Sequence, residues 1–322
     1  MKQYFYRLRY WIGGYSLRGF IHVVPWLPRR LLFFITSGVV QLTVAILWKY
    51  RVRMEENISM VLGEEIRSPE ERKALARAAW NNFALSFYET IYALNISKEK
   101  ICSTVSIRGE ENLKRALTKG KGVIGLSAHL GNFSMIGVRL AAGGYPFSAV
   151  VKQPRDQKFA QLMDKYRSMK GIKTISAKPR RVAARGILTA LRKNRIVLLI
   201  ADEFKSGGVE VEFMGRTVHA PRGPVTLALR TGAPVLPIFV TRDREYRLTL
   251  HIGSEIDLVK TGDLQSDVVS NTAEFVRQIE TMVRSYPDQW SWLGFRSNGK
   301  RPNAKWLKLQ APSPKQEEHK SS

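Results

Sequence analysis

Apolar residues along this chain follow two rhythms. In the first, short runs of apolar or small residues stand unbroken between polar or glycine-containing stretches. Gly122–Ala128, Ser148–Val151, Ile196–Ala201 and Val235–Val240 are of this kind. Such blocks predict buried strands. Thr174–Ile175, Val209–Phe213 and Leu248–Ile252 complete the predicted strand set. In the second rhythm the apolar positions recur every three or four residues. That period predicts helices over Glu110–Thr118, Phe133–Ala142, Lys158–Lys170, Arg180–Lys193, Gly223–Thr231 and Val268–Tyr286. An earlier helix, Ser68–Leu94, opens on a capping-box pattern, Ser68 with Glu71. From Ile107 onward strands and helices alternate. Alternation argues an α/β domain with a largely parallel or mixed sheet. No internal repeat is visible.

One stretch organises this pattern: Gly122 to Met135, GVIGLSAHLGNFSM. The apolar block runs straight into His129. A polar turn, Leu130-Gly131-Asn132, then leads into the predicted helix at Phe133. His129 therefore falls at the carboxyl end of a strand, where open α/β sheets bind ligands. An imidazole titrates near neutral pH and can serve as a general base. A histidine held in a strand-to-helix turn for structural reasons fits the same stretch.

The amino-terminal segment departs from both rhythms. Met1 to Arg30 mixes aromatic and basic residues, and Pro25 and Pro28 interrupt any helix. Leu31 to Trp48 is then free of charge and is closed by Lys49, Arg51 and Arg53. Its length sits at the lower limit for a membrane-spanning helix. It can span a bilayer, lie in the interface, or pack on the core. The aromatic and basic flanks favour membrane contact. Beyond Ser297 the chain is polar and proline-containing, which predicts a disordered tail. The expected division is a membrane-associated segment over 1–60, an α/β domain over 61–296 and a tail over 297–322.

Charge narrows the partners. The 322 residues include 52 Lys+Arg against 27 Asp+Glu, a formal net charge of +25. That excess favours an anionic partner: a phospholipid surface, a phosphorylated substrate, an acidic carrier protein or nucleic acid. A dense basic segment, Lys178 to Arg195, lies on and around one predicted helix. It suits an acidic carrier protein or anionic headgroups, or is simply a solvated face. The single cysteine, Cys102, excludes an internal disulfide. Five scattered histidines give no zinc spacing. There is no phosphate-binding Gly-x-x-x-x-Gly-Lys loop, no dinucleotide fingerprint and no Gly-x-Ser-x-Gly elbow. No nucleic-acid-binding motif accompanies the charge.

Four stretches in order resemble the bacterial lipid A biosynthesis (lauroyl/myristoyl) acyltransferases, within the wider lysophospholipid acyltransferases. They are SAHLGNF at Ser127–Phe133, LLIADEFKSGGVEVEFMGRTVHAPRGP at Leu198–Pro224, LALRTGAPVLPIFV at Leu227–Val240 and YPDQWSWLGFR at Tyr286–Arg296. The resemblance spans roughly residues 1–296. It implies a glycerolipid-acyltransferase-like mixed sheet flanked by helices, with the amino-terminal segment on the membrane. It also implies transfer of a fatty acyl chain from a thioester, on acyl carrier protein or coenzyme A, to a hydroxyl of a lipid or glycolipid. His129 is the implied base. No cofactor, metal or nucleic acid is implied, and the implied location is the inner membrane with the catalytic domain facing the cytoplasm.

One departure stands out. The family places an acidic residue after four positions beyond its histidine, and here that position is Ser134. Asp202 and Glu203, at the end of the strand Ile196–Ala201, are the best substitutes, with Glu203 preferred. An ion pair of Glu203 with Lys205 or Arg222 fits the sequence equally well. A non-catalytic lipid-binding or scaffold protein of the same fold also fits the missing carboxylate. Gly131 and Asn132 are candidates for substrate approach and for backbone N–H donors to an oxyanion, although Asn132 reads more readily as a helix cap. Lys152 and Arg155, after the second strand, resemble a basic position of the family. Arg222, beside a helix amino terminus, is a further phosphate candidate.

Overall fold

A computed structural model describes residue 19 and residues 48–63, 65–204 and 207–293. The run Leu31–Leu47 and the tail 297–322 lie outside the described residues. No helix among the described residues is long and apolar enough to cross a membrane.

The first described helix, α1 (Trp48–Leu62), was not expected from the periodicity. It buries Met54, Ile58, Val61 and Leu62 in the same core as the sheet. Helix α2 (Pro69–Asn95) follows, with Ser68 Oγ accepting from the Glu71 N–H and Pro69 in the first turn, as the capping pattern predicted. A short helix α3 (Lys98–Thr104) leads into strand β1 (Val105–Arg108). Then come α4 (Glu110–Thr118), β2 (Val123–Ser127), α5 (Phe133–Ala142), β3 (Phe147–Val151), α6 (Gln157–Met169), β4 (Lys173–Ser176), α7 (Arg180–Arg192) and β5 (Ile196–Ile200). A hairpin of β6 (Val209–Phe213) and β7 (Arg216–Ala220) precedes α8 (Gly223–Thr231), β8 (Val235–Arg242), β9 (Leu248–Ile252) and α9 (Leu264–Ser285).

The main sheet has seven strands in the order β1-β9-β8-β2-β5-β3-β4. Every pairing in it is parallel except β8 with β9. The expected mixed α/β architecture, with helices on both faces, is the observed one. β2 lies at the centre. Its Ile124 and Leu126, with Ala128 just beyond its end, join one hydrophobic core and its Val123 the other, so both faces are covered. Burial on both faces is why parallel strands read as unbroken apolar blocks.

Three elements refine the expectations. β1 is a four-residue edge strand, too short to register as a block. β7 completes a hairpin whose two-residue turn, Met214-Gly215, takes positive φ at both positions, as tight hairpin turns require. α9 begins one turn earlier than its apolar period suggests. Asp263 caps it by accepting from the Gln265 N–H, and buried Asp267 accepts from the Thr261 N–H and hydroxyl.

Candidate active site

β2 and β5 are adjacent and parallel, and their register pairs Ser127 with Ile200. Continuing that register by two residues sets position 129 opposite position 202. Those positions hold His129 and Asp202, and they touch. His129 Nδ1 lies 2.8 Å from Asp202 Oδ1. The His129 backbone N–H donates to Asp202 Oδ2 at 2.8 Å, and so does Trp290 Nε1–H at 2.8 Å. Asp202 is fully buried, at 0% exposure. Burial, the largest influence, pushes its carboxyl up. The His129 charge and the hydrogen bonds from His129 and Trp290 outweigh it and hold the carboxyl below the ordinary aspartate range.

An ionised carboxylate only accepts, so Nδ1 of His129 must donate to it. The proton of the neutral ring then sits on Nδ1, and Nε2 carries the lone pair. The His129 side chain is 34% exposed. The Phe133 ring packs against it edge-on, with centroids 5.2 Å apart. The pair has the form of an imidazole base oriented by a buried carboxylate.

The carboxyl-terminal block holds this turn in place. Leu130 bridges Trp290, the Gly131 N–H donates to Gln289 O at 2.8 Å, and the Ser291 N–H donates to His129 O at 3.1 Å. The Gln289 side chain extends the end of β8: its Nε2 donates to Arg242 O at 2.7 Å and its Oε1 accepts from the Arg242 N–H at 2.9 Å. Trp290 then packs among aromatic rings, 4.8 Å from Trp292 and 5.5 Å from Phe213 of the hairpin.

A buried polar network secures the far side. Arg242, at the end of β8, donates to Glu89 Oε1 at 3.0 Å and Oε2 at 2.6 Å, and also to Asn82 Oδ1. Asn132 Nδ2 donates to Glu89 Oε2 at 2.9 Å and to Ser86 O at 3.0 Å. Asn82, Ser86 and Glu89 share one face of α2, spaced as helical neighbours. α2 is thereby tied to both β8 and the turn after His129.

The residues singled out in the sequence divide clearly. Asp202, ranked second, is the one against the imidazole; Glu203 is the exposed next residue. Gly131 has φ +55, and a Cβ there would stand 1.8 Å from Val240 O. The missing side chain makes room for backbone, not substrate. Its N–H is already given to Gln289, so it does not offer an oxyanion donor as expected. Asn132 is 1% exposed and caps α5, its Oδ1 accepting from the Met135 N–H at 3.3 Å. Ser134 is exposed on the first turn of α5. Lys152 and Arg155 are exposed on the loop after β3. Arg222 is exposed at the amino terminus of α8. Among the described residues no hydrogen bond joins Ser134, Lys152 or Arg222 to His129. Sequence reasoning missed Glu89, Arg242, Gln289 and Trp290 as supports. The last two stood inside the quoted block at Tyr286–Arg296, which was the available signal. Among the described residues no cluster of His, Cys, Asp and Glu is suited to a metal.

A family model described as bacterial lipid A biosynthesis acyltransferase matches residues 1–296. Curated relatives agree. The chain is 24% identical over 244 residues to a phosphatidylinositol mannoside acyltransferase of Mycolicibacterium smegmatis, covering 75% of this chain and 77% of that protein. It is 28% identical over 189 residues to the protein of the same name from Mycobacterium tuberculosis, covering 58% and 59%. It is 22% identical over 289 residues to the lipid A biosynthesis palmitoleoyltransferase of Escherichia coli, covering 88% and 90%.

Proposed function

The chain belongs to the bacterial lipid A biosynthesis acyltransferase family and is an acyltransferase, and from that premise we propose that it moves a fatty acyl chain from a thioester to a hydroxyl of a glycolipid, with His129 as general base and Asp202 as its charge partner. The observation that carries this reading is the contact between His129 Nδ1 and the buried Asp202 carboxylate at 2.8 Å. It supports a different source for the charge that Ser134 lacks. The carboxylate comes from the neighbouring strand end instead of from the next helical turn.

In this mechanism Nε2 of His129 takes the proton of the acceptor hydroxyl as that oxygen attacks the thioester carbonyl. Asp202 stabilises the imidazolium that forms. The tetrahedral intermediate collapses, the C–S bond breaks, and the imidazolium returns its proton to the departing sulfur. An ester and a free thiol result, and no covalent enzyme intermediate is needed. The amino terminus of α5, one turn beyond His129, favours the negative charge that develops on the carbonyl oxygen. Lys152, Arg155 and Arg222 are assigned to phosphate groups of donor or acceptor, and Glu203 to the substrate-facing rim. The relatives are named for lipid A biosynthesis and for phosphatidylinositol mannoside, which favours a glycolipid acceptor. The donor is acyl carrier protein or coenzyme A. The segment before α1 contacts the inner membrane, and the α/β domain works on its cytoplasmic side.

The test is chemical. Purified protein incubated with a radiolabelled acyl thioester and a bacterial lipid extract should yield a labelled glycolipid with one added ester chain. The absence of labelled lipid with both carrier-borne and coenzyme A thioesters would refute the assignment.

A further inference from the structure

The helix between β4 and β5 carries positive charge for which the described residues supply no carboxylate partner. α7 holds no acidic residue in RRVAARGILTALR. Ala183, Ile187, Ala190 and Leu191 face the core, and Gly186 lets the sheet come close, since a Cβ there would stand 2.8 Å from Ile175 Cγ2. The opposite face is exposed. Helical spacing sets Arg181, Arg185 and Arg192 along one stripe of it, with Val182 beside them at 56% exposure.

Some surface cations elsewhere have carboxylate partners. Lys114 pairs with Glu110, Lys119 with Glu255, and Arg284 with both Glu65 and Glu280. Among the described residues no carboxylate pairs with an α7 arginine. Two of these arginines, Arg180 and Arg181, also stand in the first turn, against the positive end of the helix dipole, and Pro179 supplies no side-chain cap. At its amino-terminal end, therefore, this charge does not serve the stability of its own helix; Arg192 alone stands in the last turn, where the dipole favours a cation.

Its placement selects the partner. The amino terminus of α7 follows β4 at the edge of the sheet where His129 and Asp202 lie. The helix axis runs back across the sheet for about 20 Å at 1.5 Å per residue. A bilayer meeting the catalytic edge would reach only Arg180 and Arg181, and would leave Arg192 at the opposite edge. A stripe along the whole helix matches a rod laid side-on, with acidic groups at helical spacing. We propose that the outer face of α7 docks an acidic carrier protein, helix against helix, and so delivers its thioester arm to the edge that holds His129. The inference rests on the thioester-donor reading and adds the partner and its site to it.

The experiment uses the full chain, the triple variant R181E/R185E/R192E, and a control, K98E/K100E/K260E, with the same change in charge at exposed positions elsewhere. Each is titrated with a fluorescently labelled acidic acyl carrier protein and, separately, with phosphatidylglycerol–phosphatidylethanolamine vesicles. The α7 variant should bind the carrier about tenfold or more weakly at low salt and lose most of the salt dependence of binding, while vesicle binding stays as in the wild type. The control should match the wild type. KM for the carrier-borne thioester should rise with kcat nearly unchanged, and KM for the same acyl group on pantetheine should not move. Equal carrier affinity in the α7 variant and the wild type overturns the proposal, as does loss of vesicle binding in place of carrier binding. Turnover is read apart from binding. Carrier bound at α7 with no acyl transfer refutes the thioester-donor reading and leaves the docking surface standing.

Discussion

At the scale of single residues the account turns on which side chain faces His129. A carboxylate two positions past the end of β5 does so because β2 and β5 are in parallel register, Ser127 against Ile200. Asp202→Asn keeps the shape and removes the charge. In the proposed mechanism it should lower kcat by about 10²- to 10⁴-fold, as loss of an orienting carboxylate does elsewhere. Glu203→Gln should change kcat by less than about threefold, since a rim contact contributes little to proton transfer. Steady-state kinetics on both variants separate the two. The same carboxyl predicts a pH dependence of stability. Its folded-state pKa lies below the unfolded value. Its stabilisation is therefore fully present above about pH 4, the unfolded aspartate range, and is lost as pH falls through the folded value. Acid unfolding followed by circular dichroism should show a shallower loss of stability in Asp202→Asn than in the wild type.

Residue identity was legible only in part. The apolar block before His129 pointed at it directly. Asp202 and Glu203 were indistinguishable because sequence does not give strand register, and a shift of one residue decides which side chain meets the imidazole. Gly131 was legible as a turn residue but not as the seat of the Val240 carbonyl, a contact made only when β8 closes on the turn.

Between elements, the site is held by ties that join distant parts of the chain. The Arg242–Glu89 pair links β8 to α2, and Gln289 continues β8 toward Trp290. The Arg242 side chain is only 3% exposed. Removing one member leaves the other charge buried without its partner, which costs about 3–5 kcal/mol. Glu89→Ala should lower the unfolding free energy by that amount in urea titration and loosen the turn after His129. A Gly131→Ala chain must strain a positive φ and displace the Val240 carbonyl; a loss of about 1–3 kcal/mol and reduced activity are expected. None of these ties was visible beforehand. Glu89 and Arg242 are 153 positions apart, so no local spacing marks them. The elements themselves were legible, because strands buried on both faces leave apolar blocks and surface helices leave a regular period. β1 escaped as a four-residue edge strand, and α1 because the apolar residues it buries, Met54, Ile58, Val61 and Leu62, stand in a charged setting.

At the scale of the whole molecule, an α/β body built on a mixed sheet carries an excess of 25 positive charges, and its candidate site lies at one edge of the sheet. In the proposed function that edge faces a membrane carrying the acceptor, and the uncharged run Leu31–Trp48 adds an apolar hold. Charge alone would be screened at about 1 M salt, where the Debye length falls to about 3 Å. Flotation with anionic liposomes should therefore persist at that salt for the full chain. It should fail at that salt for a chain in which lysines replace Leu32, Phe34, Val39 and Leu42. The central claim, however, is acyl transfer by a His129 base held by Asp202. Its most direct test is the rate of radiolabelled acyl transfer from thioester to lipid by wild type, His129→Ala and Asp202→Asn side by side. The account predicts loss of transfer in His129→Ala and a large kcat defect with little change in KM in Asp202→Asn; wild-type rates in either variant would contradict it.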